Sequence, residues 1–242
     1  MEKTIQVTGL CKSYGENAVI RDVSLSVAAG EVYGLLGANG AGKTTAIECI
    51  LGTRKADAGT ARILGLDPGK DRRKLFEMVG VQFQEANYPD KIKVKELCEE
   101  TACLYRNPAD YGQLLRQFGL FERREAFVSE LSGGQRQKLF ITLALIPGPQ
   151  VVFLDELTTG LDTKARRSVW KCLLDMKEQG LTIFLSSHFM DEVEMLCDRI
   201  GILKDGGFIF TGTVQEALEQ SSCSNMEDAY LWFTGEGETG DE

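Results

Sequence analysis

Apolar and polar positions alternate with period two over residues 4–7 and 18–27, the pattern of half-buried strands, with turn chemistry between them at Tyr14-Gly15-Glu16-Asn17. Residues 31–36, apolar after Glu31, read as a buried strand. It enters a glycine-rich stretch, 37–42, and then a helix from about Lys43 to Leu51, with Gly52 as its stop. Another strand is predicted over 60–64, followed by a break at Pro68-Gly69. Between about Tyr88 and Pro149 the period changes to that of a helix: Val94, Leu97, Thr101, Leu104, then Leu114, Leu115, Phe118. Strand and helix then alternate again. A short buried strand falls at 151–154, and a helix at 162–178 with Ala165, Val169, Leu173 and Met176 on one face. A strand at 181–185 and a helix at 191–197 follow, and strands at 200–203 and 208–210 flank the turn Lys204-Asp205-Gly206-Gly207. This alternation predicts an α/β fold with a mainly parallel sheet covered by helices, interrupted by a helical insertion. The acidic, glycine-rich end, 235–242, reads as a flexible tail.

Composition narrows the classes. Of 242 residues, 43% are hydrophobic and 26% charged, ordinary globular usage that excludes collagenous and disordered readings. The net charge of −9 counts against a nucleic-acid partner, which needs a cationic surface. No apolar stretch approaches the roughly 20 residues of a membrane helix, and no signal peptide is visible at the amino end. Any membrane span is therefore expected from another chain. The seven cysteines are odd in number and none forms a CxxC pair, and there is one histidine, so neither a disulfide scaffold nor a Cys/His zinc site is expected.

The candidate chemistry centres on phosphate. Gly37-Ala38-Asn39-Gly40-Ala41-Gly42-Lys43-Thr44 matches G-x-x-x-x-G-K-[ST] and sits between a predicted strand and a predicted helix, as a P-loop requires. Its glycines let successive backbone N–H groups turn onto phosphate oxygens, and the helix adds the positive end of its dipole. Lys43 can reach β- and γ-phosphates, and the Thr44 hydroxyl can ligate Mg²⁺. Thr45 follows as a further polar contact. The run Val151–Leu154 ends in Asp155, at the carboxyl end of a buried strand where ligands of such sheets collect, suited to holding Mg²⁺; Glu156 brings a second carboxylate.

Kinases, GTPases and many ATPases share a P-loop. Leu131-Ser132-Gly133-Gly134-Gln135, about twenty residues before Asp155, resembles the signature of the ATP-binding cassette (ABC) family, the motor subunits of membrane transporters. The order of the other pieces is similar to that family from about Thr4 to Thr213. Tyr14 lies where an aromatic stacks on adenine, Gln84 at the Q-loop, Asp155-Glu156 at Walker B, Gly160-Leu161-Asp162 at the D-loop, and Ser187-His188 at the switch. The resemblance implies a RecA-like P-loop NTPase core with a small antiparallel β subdomain (about 1–84 and 148–220) and an inserted helical subdomain (about 88–147), together one domain over 1–234.

It also implies ATP and Mg²⁺ as cofactors and a head-to-tail dimer in which Ser132, Gly133, Gly134 and Gln135 of one copy grip the nucleotide on the P-loop of the other. In that scheme Glu156 polarises the attacking water, His188 contacts the γ-phosphate, and Gln84 ligates Mg²⁺ and senses the transport partner. Gln82 and Gln84 face the same side of a strand, and both could be surface amides; only the family spacing favours Gln84. Asp162 reads equally as a D-loop residue and as the cap of a helix beginning near Thr163. Leu157 stands where the family usually has proline.

The segments around 187–199 and 204–213 are similar to the drug-export (ABC-2) branch. That branch implies a separate multi-span permease, with the chain cytoplasmic and peripheral on the inner face of the membrane; the second ATP-binding subunit is expected to be another copy in a homodimer, with a heterodimer left open. The alternative is a soluble family member acting in translation or DNA repair without a membrane partner.

Overall fold

The structure is a computed structural model describing residues 3–83, 88–89 and 91–236. Its strands are β1 (Lys3–Tyr14), β2 (Asn17–Ala28), β3 (Val32–Leu36), β4 (Ala58–Ile63), β5 (Val79–Gln82), β6 (Val151–Asp155), β7 (Thr182–Ser187), β8 (Arg199–Lys204) and β9 (Gly207–Thr213). Its helices are α1 (Lys43–Ile50), α2 (Arg72–Leu75), α3 (Val94–Ala102), α4 (Tyr111–Gln117), α5 (Gly133–Leu145), α6 (Thr163–Glu178), α7 (Met190–Leu196), α8 (Val214–Ser221) and α9 (Met226–Thr234). The chain divides into two compact units. One takes in the chain up to Arg72 and again from Phe184; the other is Arg73–Ile183.

In the first unit β2, β1 and β4 form an antiparallel sheet, with β1 central. The β1–β2 hairpin closes at Tyr14 opposite Asn17, and Gly15 at φ 59° makes the turn. The Phe184–Ser187 part of β7 lies beside β3, then β8, then β9. β3 pairs with β8 in parallel, and β8 with β9 antiparallel. Asp205 and Gly206, both at positive φ, form the two-residue turn of that last hairpin, as a type I′ turn needs. All five residues of β3 are buried, which explains its unbroken apolar run.

In the second unit β5 and β6 pair in parallel, Val79 opposite Val151 through Gln82 opposite Leu154. Gly80 must be glycine here, because a Cβ would stand 1.9 Å from the carbonyl oxygen of Ala144 in α5. Leu97 and Cys98 of α3, Leu114 and Leu115 of α4, and the Leu139–Leu145 face of α5 are buried. One expectation fails locally: α3 stops at Ala102, and Leu104 is exposed instead of extending the apolar face. The Thr101 hydroxyl donates to the Leu97 carbonyl one turn back, a side-chain bond that competes with the helix ladder near its end.

The sequence pattern left 214–234 unread, and α8 and α9 occupy it. Thr213 caps α8 in a reciprocal box with Glu216, and Asn225 caps α9 through the Asp228 N–H. Their apolar faces, Ala217, Met226 and Ala229, join a core with Leu36, Val193, Ile200, Ile202 and Phe210. Among the described residues no helix is long and apolar enough to cross a membrane.

Candidate functional site

In the first unit β3 delivers the chain to Gly37, and α1 begins at Lys43 after Gly42. Gly42 sits at φ 102°, and a Cβ there would stand 2.8 Å from both the Val19 carbonyl oxygen and Ile20 Cδ1. The last glycine of the motif is thus fixed both by backbone conformation and by close approach. Gly37 is buried, while Ala38, Asn39 and Gly40 are exposed; successive backbone N–H groups of such a loop can face an anion. Lys43 is 5% exposed; its Nζ donates to the carbonyls of Gly37 at 2.8 Å and Ala38 at 3.1 Å. The ammonium is held inside the curve of the loop, where phosphate oxygens can take over from carbonyls. Thr44 is exposed and Thr45 half-buried on the first turn of α1.

His188 follows β7 and is half-buried, its ring 4.2 Å from that of Phe189. Ser187 fixes the step beyond it, its hydroxyl accepting from the Phe189 N–H at 3.0 Å. Gly37, Ala38, His188 and Phe189 line one groove of about 540 Å³, so the structure brings the start of the P-loop and the lone histidine together. Tyr230 and Leu231 of α9 form another wall of that groove. The pattern Met226, Ala229, Tyr230, Phe233 at helical spacing was the signal that could have found them. Burial raises the Tyr230 phenol above its ordinary range.

Tyr14, 44% exposed, stands at the β1–β2 turn with Lys12 Nζ 5.5 Å and Arg54 Cζ 5.4 Å from its ring centre. Asp57 braces this end of β1, accepting from Lys12 Nζ at 2.8 Å and from the Ser13 N–H at 2.7 Å. Those two bonds, the lysine's first, hold the Asp57 carboxyl below its usual range.

In the second unit Asp155 ends β6, 1% exposed. Glu156 is half-buried at φ 50°, a left-handed backbone that costs a side-chain-bearing residue about 1–2 kcal/mol. The Thr159 hydroxyl donates to Glu156 Oε2 at 3.3 Å. Leu157, in the position where proline was expected, is fully buried, and its carbonyl accepts from Gln137 Nε2 at 2.7 Å. Neither Thr159 nor Gln137 had been singled out from the sequence. Asp162 is the N-cap of α6, accepting from the Ala165 N–H at 2.7 Å.

Gln82, for which a surface amide was one of the readings left open, is 4% exposed at the end of β5. Its Nε2 donates to the carbonyls of Phe83 at 2.8 Å and Asp155 at 3.2 Å. Gln84 lies outside the described residues. Ser132 is the N-cap of α5, its Oγ accepting from the Gln135 N–H at 3.3 Å while Gln135 Oε1 accepts from the Ser132 N–H at 3.0 Å. Ser132 and Gly133 are exposed, so the amino end of α5 is presented outward by side chains that brace one another. Among the described residues no group of three or more His, Cys, Asp and Glu could hold a metal ion.

The parallel strands, the P-loop and its helix define a P-loop nucleotide-binding protein. The family profile described as ABC transporter matches residues 20–159. Nod factor export ATP-binding protein I of Mesorhizobium japonicum is 38% identical over 229 residues, covering 92% of this chain and 67% of that protein. The protein of the same name from Rhizobium meliloti is 40% identical over 230 residues, covering 92% and 68%. A solved ATP-binding subunit of an ABC transporter superposes with a TM-score of 0.86 at 27% identity, over 96% of this chain and 99% of that one. A bacterial ABC transporter cassette of dimeric structure, 24% identical, shares the fold with a TM-score of 0.77, over 87% and 98%. The chain belongs to the ABC transporter family.

Proposed function

We propose that this chain is the ATP-hydrolysing subunit of a membrane exporter, peripheral on the cytoplasmic face and working as a head-to-tail homodimer on a separate multi-span permease. The observation that carries the nucleotide reading is the P-loop itself: a buried lysine ammonium 2.8 Å from the Gly37 carbonyl, inside an exposed backbone loop at a helix start. The export reading is supported by relatives named as export ATP-binding proteins. The net charge of −9 disfavours the alternative of a soluble nucleic-acid-associated ATPase.

In this reading Lys43 and the backbone of Gly37–Gly42 hold the phosphates, with Thr45 beside them, and Tyr14 stacks on the base. Ser132, Gly133, Gly134 and Gln135 of the second copy close over the γ-phosphate. Magnesium takes hard oxygen donors beside phosphate and water. Thr44, Asp155 and Gln84 offer a hydroxyl, a carboxylate and an amide oxygen, a donor set of that kind, and the ion would supply charge neutralisation along the phosphates. Glu156 accepts the proton of the water that attacks the γ-phosphorus, and His188 holds a γ-oxygen. Bond formation to water and departure of ADP complete the step.

Glu156→Gln tests the assignment. ATP binding should persist, and steady-state hydrolysis should fall by about 10²–10⁴-fold, the usual worth of a positioned base. Near-normal turnover would assign the base elsewhere. Co-purification of the full chain with a polytopic membrane protein tests the transport reading.

A further inference from the structure

The backbone around Glu156 is held from both sides. The carbonyl before it, of Asp155, accepts from Gln82 Nε2 at 3.2 Å, and the carbonyl after the next residue, Leu157, accepts from Gln137 Nε2 at 2.7 Å. The amide orientations follow from chemistry: each partner is a carbonyl oxygen, so a flipped amide would set oxygen against oxygen. Gln82 is 4% exposed at the end of β5, and Leu157 is fully buried. Between the two clamped carbonyls Glu156 takes its left-handed φ of 50°, a conformation that persists only where its surroundings over-determine it. Thr159 then steadies the carboxylate itself.

Gln137 belongs to α5, one turn beyond the Ser132–Gln135 cap. Gln82 belongs to the strand that leads to the Gln84 segment. The same short turn is therefore tied to the signature helix through one amide and to the root of the Q-loop through the other.

We propose that Gln137 and Gln82 form an amide clamp that positions Glu156, with Gln137 transmitting the setting of the signature helix to the carboxylate. Neither glutamine touches the reacting atoms; both are positioning residues. The proposal rests on the reading of Glu156 as the base. A displacement of α5 along its axis carries the Gln137 amide with it, turns the Leu157 peptide plane, and re-aims the Glu156 side chain. Hydrolysis is then fast only while α5 keeps the Gln137 amide on the Leu157 carbonyl.

The test uses the full chain and four variants: Gln137→Met, Gln82→Leu, Glu156→Gln and the double Gln137→Met/Glu156→Gln. Gln137 is half-buried, so methionine preserves length and packing while removing the donor. Gln137→Met should lower kcat by about 10- to 100-fold, the scale of a misplacement of about 1 Å, with KM and equilibrium ATP affinity within about twofold. Gln82→Leu should act in the same direction. In single-turnover hydrolysis the double variant should be within about twofold of Glu156→Gln alone, because a clamp on an absent base has nothing left to position. A normal kcat for Gln137→Met beside a slow Glu156→Gln would overturn the clamp and leave the base standing, as would losses that multiply in the double variant. A Glu156→Gln protein with normal turnover would overturn the base, and the clamp with it.

Discussion

Gly42 is where one missing side chain carries most consequence. Its φ of 102° and the 2.8 Å approach of the Val19 carbonyl exclude a Cβ, and the next residue is the lysine that opens α1. Gly42→Ala should move the loop away from its cradle and weaken ATP binding by at least about tenfold, about 1.4 kcal/mol, in an equilibrium titration with a fluorescent nucleotide. Unchanged affinity would mean that the loop absorbs the strain and that its curvature is not what binds. At this scale the sequence was explicit wherever a motif fixed a residue by type: Gly42, Lys43 and Ser132 could be named beforehand. It was ambiguous for the glutamines. Period two put Gln82 on the same face as Gln84, and nothing in the alternation told a buried amide from a surface one.

At the scale of the element, caps decide where helices begin. Ser132 and Gln135 satisfy each other's backbone N–H groups, and the helix they start is the one whose amino end we assign to the γ-phosphate of a partner copy. Ser132→Ala should lower stability by about 1 kcal/mol, the ordinary cost of a lost cap. The thermal midpoint should fall by about 2–4 °C for a chain of this length, read by scanning calorimetry. An unchanged midpoint would show that water serves the Gln135 N–H as well as the serine does. Elements with their own local chemistry were legible in the chain: the Asp205-Gly206 turn, the Asp162 cap, the apolar β3. The end of α3 was not. Leu104 keeps the helical spacing, but the helix stops two residues earlier and leaves it in solvent.

On the scale of the whole molecule, the carboxyl-terminal helices finish the first unit. Ala217, Met226 and Ala229 lie against Phe210 and Ile200, the Met226 N–H donates to the Glu194 carboxylate, and Lys204 donates to the Thr234 carbonyl at the end of α9. A chain ending at Thr213 would expose that core. Its thermal midpoint should fall by more than about 5 °C, with enhanced binding of a hydrophobic dye, even though the P-loop is untouched. An intact midpoint would make α8 and α9 an appendage and not a part of the core. The sequence by itself determined what short-range rules control: the phosphate loop, the caps, the tight turns, and the alternation that makes an α/β sheet. Those rules act over a few residues, through φ, hydrogen-bond geometry and the periods of strand and helix. The tertiary structure alone decided that His188 shares a groove with Gly37 and Ala38, that Tyr230 closes it, and that Gln82 and Gln137 grip the carbonyls around Glu156. Such meetings join residues far apart in the chain, and strand register and helix packing set them, neither of which any local pattern encodes.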